Sequence, residues 1–250
     1  MTQEEDRTQR IAWITGAGSG IGKAAALALA QTGHVVVLSG RRVDALQAVA
    51  REVAAQGGTA HSFVLDVTDS EAVAATVTAV ERDVGPIDVL VNSAGINVTA
   101  RSWADVGVAA WCQIVDVNLT GTFQCMHAVL PRMRARREGL VINVASWAGR
   151  HASSLVGPAY NATKHAVVAM THSFNMEEGR NGLRGCVLMP GETDTPILDQ
   201  RPTPVLAQER ARMLQEDDLG QTVAFVAGMP GRVCVNEILI SPTHNRAFGA

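Results

Sequence analysis

Tyrosine and lysine are almost absent from this chain of 250 residues. Tyr160 is the sole tyrosine, and Lys23 and Lys164 are the only lysines beside nineteen arginines. Tyr160 and Lys164 lie four positions apart in the stretch YNATK, and a lysine falls at such an offset by chance in roughly one per cent of cases. The scarcity of both residue types therefore predicts a shared role for this pair.

Clustered cysteines, metal-binding motifs and long apolar runs are missing too. Cys112, Cys125, Cys186 and Cys234 have no C-x-x-C spacing and lie among apolar neighbours, so we expect them to be reduced and mostly buried. The seven histidines form no H-E-x-x-H motif, and no metal is predicted. Residues 1–9 form a polar tail without the apolar segment of a secretory signal, and no run reaches the ~18 apolar residues that span a bilayer. These absences predict a soluble, cytoplasmic protein.

Neither sign of charge dominates the chain. The net charge is −3, and the basic stretch at 132–137 is interpreted as the solvated end of a helix. We therefore expect neither a nucleic acid nor a membrane as partner. A length of 250 residues with 47% hydrophobic content predicts one domain over 1–250 with a large core.

Short β-branched runs alternate with longer alanine-rich stretches of helical period, which is typical of βα units around a parallel sheet. Strands are predicted at 11–15, 34–39, 60–65, 87–91, 139–145, 184–189 and 235–240. Helices are predicted at 21–32, 43–56, 70–84, 107–136, 158–180 and 217–228. The proline-containing segment 191–216 breaks this rhythm and is expected to be a substrate loop above the sheet. The pattern predicts an α/β fold of the Rossmann type, a doubly wound parallel sheet with helices on both faces.

A glycine-rich loop follows the first strand directly and opens the first helix. It reads TGAGSGIG from Thr15 to Gly22, and its glycines allow the backbone to approach a pyrophosphate held by the helix N-terminus. Ile21 stands where G-x-G-x-x-G would need its third glycine. The predicted cofactor-binding residues here are Gly16, Ser19, Gly20, Ile21 and Gly22.

The end of the second strand predicts which dinucleotide binds. NAD-binding folds carry a carboxylate there for the ribose 2′-hydroxyl, but this chain has Gly40 followed by Arg41 and Arg42. Paired guanidiniums without a carboxylate suit a 2′-phosphate, so NADP(H) is favoured and NAD(H) remains an alternative.

Seven stretches in order resemble the short-chain dehydrogenase/reductase family, over residues 10–240. They are TGAGSGIG, LDVTD at 65–69, NSAG at 92–95, VNLTG at 117–121, INVAS at 142–146, YNATK and MPGETDT at 189–195. The resemblance implies that nucleotide contacts come from Asp66 and Val67, from Asn92, Ala94 and Gly95, and from Pro190, Gly191, Thr193 and Thr195.

The same resemblance implies the catalytic set. Tyr160 would exchange a proton with the substrate oxygen, Lys164 would bind the nicotinamide ribose, Ser146 would donate to the substrate oxygen, and Asn118 would anchor a water that relays the proton. Independently, residues at i and i+4 share a helix face, so the Lys164 ammonium is expected to favour the ionised phenol of Tyr160.

Three departures from the usual family pattern are present, and the last of them leaves the choice of catalytic serine open. Ser93 and Ala145 replace residues common in the family, and the longer spacing from Ser146 to Tyr160 leaves Ser153 and Ser154 as rivals to Ser146.

Substrate contacts are expected from the loops at 94–103 and 147–155 and from residue 192 onward. Trp147, His151 and Glu192 are the candidates, for a ketone or secondary alcohol of medium size. A nucleotide-binding regulatory module with little turnover, and an epimerase or dehydratase of the same fold, are the alternative functions.

The two long predicted helices at 107–136 and 158–180 indicate self-association. The first carries Trp111, Ile114, Phe123 and Met126 around more than one face, which is more apolar surface than one sheet contact covers. We expect a homotetramer, or a dimer, through these helices.

Overall fold

Seven strands pair in parallel in one sheet in the computed structural model, which describes residues 9–245. The strands are β1 (Ile11–Thr15), β2 (Val35–Gly40), β3 (Ala60–Val64), β4 (Ile87–Asn92), β5 (Gly139–Val144), β6 (Leu183–Pro190) and β7 (Glu237–Ile240). Their order across the sheet is β3-β2-β1-β4-β5-β6-β7. The chain therefore winds outward in one direction from β1 and in the other from β4, which confirms the predicted doubly wound fold.

Helices cover both faces of this sheet. They are α1 (Gly20–Gln31), α2 (Val43–Ala55), α3 (Ser70–Asp83), α4 (Val108–Val115), α5 (Gly121–Arg136), α6 (Pro158–Glu178), α7 (Ala207–Arg210) and α8 (Glu216–Ala227). A π-helical turn, Asp116–Thr120, joins α4 to α5. Predicted helix and strand positions agree with these to within a few residues, apart from the interruption of 107–136 by this turn.

Alternating strand residues build two cores, one on each face. Ile14 of β1 belongs to the core beneath α1, α2 and α8, whereas Trp13 belongs to the core beneath α3 and α5. Every residue of β1, β4 and β6 is buried because helices lie on both sides of them. The edge strands β3 and β7 are only partly buried.

The four cysteines differ in their burial. Cys125 and Cys186 are buried, but Cys112 and Cys234 are exposed, so the prediction of mostly buried cysteines is wrong for two of the four.

Segment 191–216 holds a 3-10 turn at Pro196–Gln200 and the short α7, and Thr193 bridges to Leu214. Most of the predicted tail at 1–9 lies outside the described residues. Within residues 9–245, no helix is long and apolar enough to cross a membrane, and no group of three histidine, cysteine or acidic residues could hold a metal.

Candidate active site

The glycine loop lies at the point where the sheet reverses its winding, at the carboxyl ends of β1 and β4. Gly16 has φ +66°, a backbone conformation that favours glycine, and a Cβ there would lie 2.8 Å from the Ser93 carbonyl oxygen. Both the conformation and the lack of space therefore disfavour any other residue. The Thr15 hydroxyl accepts hydrogen bonds from the backbone amides of Ser93 (3.2 Å) and Ala94 (3.3 Å). These contacts hold the loop against the segment after β4 and open a cleft where such folds bind nucleotides.

The amino end of α1 faces this cleft. Ser19 is the N-cap and makes no side-chain capping bond, and Gly20 begins the helix with φ +60°. The first amides of a helix have no intrahelical acceptor and carry a partial positive charge, which suits an anionic pyrophosphate. Gly22 has a packing role instead, since a Cβ there would lie 2.4 Å from the Gly16 carbonyl oxygen.

Two adjoining cavities extend along the carboxyl edge of the sheet from the glycine loop. The smaller, of about 160 Å³, is lined among others by Arg41, Arg42, Asp66, Val67 and Ala94. The larger, of about 1360 Å³, is lined among others by Gly20, Ile21, Ser146, Trp147, His151, Tyr160, Lys164, Pro190, Gly191, Glu192, Thr193 and Thr195. Gly16, Ser19, Gly95 and Ile96 line both. The two cavities share these residues, so together they line the carboxyl edge of the sheet from the end of β2 to the segment after β6.

The smaller cavity carries positive charge where Arg41 and Arg42 line it, just after β2. Arg42 donates to the Ser19 hydroxyl at 3.3 Å, and both side chains lie near the surface. Asp66 Oδ1 accepts from the Thr68 amide at 3.0 Å and from its hydroxyl at 2.8 Å. These bonds, with a smaller contribution from the Arg41 charge, lower the pKa of Asp66 below its usual value. The residues present thus fit an adenosine phosphate, with an ionised carboxylate beside it.

Three predicted catalytic side chains meet at the larger cavity. Ser146 follows β5, and its hydroxyl hydrogen-bonds to the phenol of Tyr160 on α6. The Lys164 ammonium donates to the Val144 carbonyl at 2.8 Å and lies 5.5 Å from the centre of the Tyr160 ring. Both rival serines, Ser153 and Ser154, also line this cavity, and the Ser153 hydroxyl accepts from the Leu155 amide at 3.3 Å, as the Ser146 hydroxyl does from the Ala148 amide at 3.2 Å. The interaction with the Tyr160 phenol is what distinguishes Ser146.

Burial dominates the titration of this pair. It raises the pKa of the half-buried Tyr160, while the Ser146 hydrogen bond and the Arg101 charge lower it to a smaller extent. Burial also lowers the pKa of Lys164 to about 8. The sequence-based expectation that the lysine brings the phenol below its ordinary pKa is therefore wrong in direction, because desolvation outweighs the favourable interactions.

Asn118 lies in the π-helical turn, and its side chain hydrogen-bonds to the loop that follows β4. Its Oδ1 accepts from the Ile96 amide at 2.8 Å, and its Nδ2 donates to the Ile96 carbonyl at 3.0 Å. A Cβ on Gly95 would lie 3.6 Å from Asn118 Oδ1 and 3.7 Å from Lys164 Nζ, so the amide and the ammonium flank Gly95. Asn118 positions this loop, and its expected water-anchoring role stays a prediction.

Asn92 lies at the end of β4 as expected but is not among the residues that line the two cavities. It is buried at the end of β4, and its amide donates to Asn143 Oδ1 at 2.9 Å. Neither Asn92, Gly22 nor Asn118 belongs to the described lining of the two cavities. Their expected cofactor-binding and catalytic roles stay predictions.

Polar groups on the substrate side include two that sequence reasoning did not single out. Arg101 and Arg201 line the larger cavity, and Arg201 donates to Glu192 Oε1 at 2.8 Å. The rings of Trp147 and His151 pack together at 4.8 Å between centres. Arg101 falls in the expected substrate loop at 94–103, but one arginine among nineteen carries no local signal that marks it.

Known proteins with similar sequences are oxidoreductases. The family model described as short chain dehydrogenase matches residues 10–205. An uncharacterised oxidoreductase of Staphylococcus aureus (strain MRSA252) is 34% identical over 235 residues, which cover 94% of this chain and 98% of the relative. A glycine betaine reductase of Emericella nidulans is 34% identical over 238 residues, and the match covers 93% of this chain and 19% of that enzyme.

Solved structures of similar fold include proteins with bound nicotinamide cofactors. An alcohol dehydrogenase from the archaeon Thermococcus sibiricus, complexed with 5-hydroxy-NADP, has a TM-score of 0.85 at 28% identity and covers 95% of this chain and 98% of its own. A metagenomic short-chain oxidoreductase in complex with NADP has a TM-score of 0.81 at 32% identity and covers 94% of this chain and 97% of its own.

Proposed function

Because the chain belongs to the short-chain dehydrogenase/reductase family and is an NAD(P)-dependent enzyme, we propose that it transfers a hydride between NADPH and a ketone or secondary alcohol. The observation that carries the proposal is the convergence of Ser146, Tyr160 and Lys164 on one cavity beside the glycine loop. The substrate oxygen would lie at the Tyr160 phenol, where Ser146 also donates a hydrogen bond. When bound, the reduced nicotinamide supplies the hydride.

The preference for NADPH rests on the end of β2. Arg41 and Arg42 line the smaller cavity, and Gly40 offers no carboxylate that would repel a 2′-phosphate. The similar alcohol dehydrogenase and metagenomic oxidoreductase, which bind 5-hydroxy-NADP and NADP, support the same choice. Gly16, Ser19 and Gly20 would hold the pyrophosphate, Asp66 and Val67 the adenine, and Pro190, Gly191, Thr193 and Thr195 the nicotinamide end.

The titration of Tyr160 suits the direction of reduction. Since burial raises its pKa, the phenol keeps its proton at neutral pH and can donate it to a carbonyl oxygen. Oxidation of an alcohol would require the phenolate, which Ser146 and the Arg101 charge stabilise. Lys164, whose pKa is about 8, is placed to hold the ribose and to assist return of the proton.

Replacement of Tyr160 by phenylalanine tests the proposal. Tyr160→Phe keeps the ring and removes the proton donor, so turnover of NADPH over a panel of ketones should fall by about 10²- to 10⁴-fold. Ser146→Ala should also lose activity, whereas the matched control Ser153→Ala should lose less than about threefold. The measurement is loss of NADPH absorbance, with NADPH binding to each variant followed by fluorescence.

Two results would contradict this mechanism. Near-native turnover by Tyr160→Phe would remove Tyr160 from the reaction. Tight NADPH binding by the unmodified protein without turnover of any ketone or alcohol would favour the regulatory module instead.

A further inference from the structure

The larger cavity contains a buried guanidinium to which the proposed hydride transfer assigns no contact with substrate or cofactor. Arg101 is 7% exposed and lines the cavity between β4 and α4. Its Nη2 donates to the Gln200 carbonyl of the substrate loop. Its Nε is buried and has no hydrogen-bond partner in the part of the chain that the structure describes.

The backbone holds this arginine in place. Gly157, with φ +79°, packs so closely that a Cβ there would lie 2.0 Å from the Arg101 carbonyl oxygen. Asn97 ties the same loop to the segment before α6 through a 3.0 Å bond from its amide to the Val156 carbonyl. These contacts fix the backbone around Arg101, and the Gln200 carbonyl holds its guanidinium from a second loop.

An uncompensated buried guanidinium is costly, because a charge taken from water needs a counter-charge and filled hydrogen bonds. Burial lowers the pKa of Arg101, and the nearby Arg201 charge lowers it further. Arg201 already has Glu192 as its partner at 2.8 Å. Arg101 thus lacks a protein carboxylate of its own among the described residues.

The charges of the cavity indicate the class of ligand. Apart from Lys164, which the hydride-transfer proposal uses, the charged side chains that line it among residues 9–245 are Arg101, Arg201 and Glu192, a net single positive charge. One positive charge matches a monoanion, and the planar fork of a guanidinium matches a carboxylate. A phosphate dianion would bring a second negative charge next to Glu192.

We propose that Arg101 binds a carboxylate of the substrate, so that the enzyme acts on oxo acids or hydroxy acids. Tyr160 and Arg101 line one cavity, so a small molecule whose reacting oxygen lies at the phenol can place a carboxylate at the guanidinium. The inference rests on the proposed hydride transfer for its chemistry, but the binding of the carboxylate can be measured without turnover.

The experiment compares matched acids and esters. The probes are 2-oxobutanoate, 3-oxobutanoate and 4-oxopentanoate with their methyl esters. Calorimetry on NADP⁺-loaded enzyme, which cannot reduce them, should show at least one acid binding about 10- to 100-fold more tightly than its ester. With NADPH, kcat/KM should favour the same acid by a similar factor.

Substitution of the guanidinium assigns the preference to Arg101. Arg101→Gln should bring the ratio of acid to ester close to one, and Arg101→Lys should give an intermediate ratio because it keeps the charge without the fork. The control Arg212→Gln removes an equal charge from an exposed position outside the cavity lining and should keep the wild-type ratio.

The outcomes separate the two proposals. Equal binding of acids and esters by the wild-type protein, which needs no variant, would overturn the carboxylate site even if ketones are reduced. An equal loss of acid and ester turnover in Arg101→Gln would also overturn it and assign the arginine to stabilisation of Tyr160. Selective acid binding without any turnover would leave the carboxylate site standing and contradict the proposed hydride transfer.

Discussion

Gly40, at the end of β2, is the single residue on which the proposed cofactor preference depends most. A Cβ built there would meet only Leu46, at 3.6 Å, so the backbone accepts a larger side chain. The arginines that follow line the smaller cavity. Specificity at this position is therefore a matter of charge and hydrogen bonding, and it can be reversed without repacking.

Reversal of the cofactor preference follows from this geometry. We expect Gly40→Asp combined with Arg41→Ala to lower kcat/KM for NADPH by about 10- to 100-fold, since charged hydrogen bonds to the phosphate are lost and a carboxylate repels it. NADH should improve, because the new carboxylate can accept from a ribose hydroxyl. Gly40→Ala is the control that changes volume without charge. Equal or better use of NADH by the unmodified protein would contradict the assignment.

Among the elements, α5 and α6 are joined by a charged contact at their carboxyl ends. Glu178, whose side chain is 4% exposed, accepts from Arg134 Nε at 2.7 Å and from Asn181 at 2.8 Å. The Arg134 hydrogen bonds are the main reason that the pKa of Glu178 is lowered to about 2. Because α6 carries Tyr160 and Lys164, the contact braces the active-site helix against α5.

The stability contributed by Glu178 should depend on pH. Its folded pKa of about 2 lies below the ordinary 4.5, so the contribution is complete above pH 4.5 and is lost as the pH falls toward 2. We expect Glu178→Gln to lower the Tm by about 3–6 °C at pH 7 and by progressively less below pH 4.5.

The matched control is Glu177→Gln, which changes an exposed neighbour of the same charge. Scanning calorimetry across this pH range makes the comparison. A Tm difference for Glu178→Gln that stays constant from pH 7 to pH 3 would show that its ionisation is not the cause.

On the scale of the whole molecule, the described surface leaves apolar side chains uncovered on α4, α5 and α6. Trp111 and Phe123 are exposed, whereas Ile114 and Met126, from the same predicted helix, are buried in the chain's own structure. Val108 and Met176 are exposed as well. Apolar side chains on more than one face of the helical segment formed by α4, the π-helical turn and α5 support the predicted self-association.

Disruption of this surface tests the predicted homotetramer or dimer. Trp111→Glu with Phe123→Glu places two charges in the proposed interface, so the assembly should dissociate to a mass near the 26.4 kDa of one chain. Val64→Glu, an exposed apolar residue on the edge strand β3, is the control and should leave the assembly intact. A wild-type mass of one chain in analytical ultracentrifugation at micromolar concentration would show that the surface does not self-associate.

The sequence alone determined the features that depend on local spacing. Alternating apolar periods predicted the parallel sheet, the order of strand, glycine loop and helix predicted the nucleotide site, and the offset of four residues put Tyr160 and Lys164 on one face of α6. Such patterns survive folding because backbone geometry repeats over a few residues.

Only the tertiary structure decided properties that arise between distant segments. Burial raises the pKa of Tyr160, whereas the sequence predicted a lowered one. Asn92 bonds to Asn143, fifty-one positions along the chain, and lines neither cavity. The proposed role of Arg101 depends on its hydrogen bond to Gln200, ninety-nine positions along the chain, and on the cavity that both residues line. Desolvation and the position of charges depend on which segments pack together, and no local pattern in a single sequence encodes that packing.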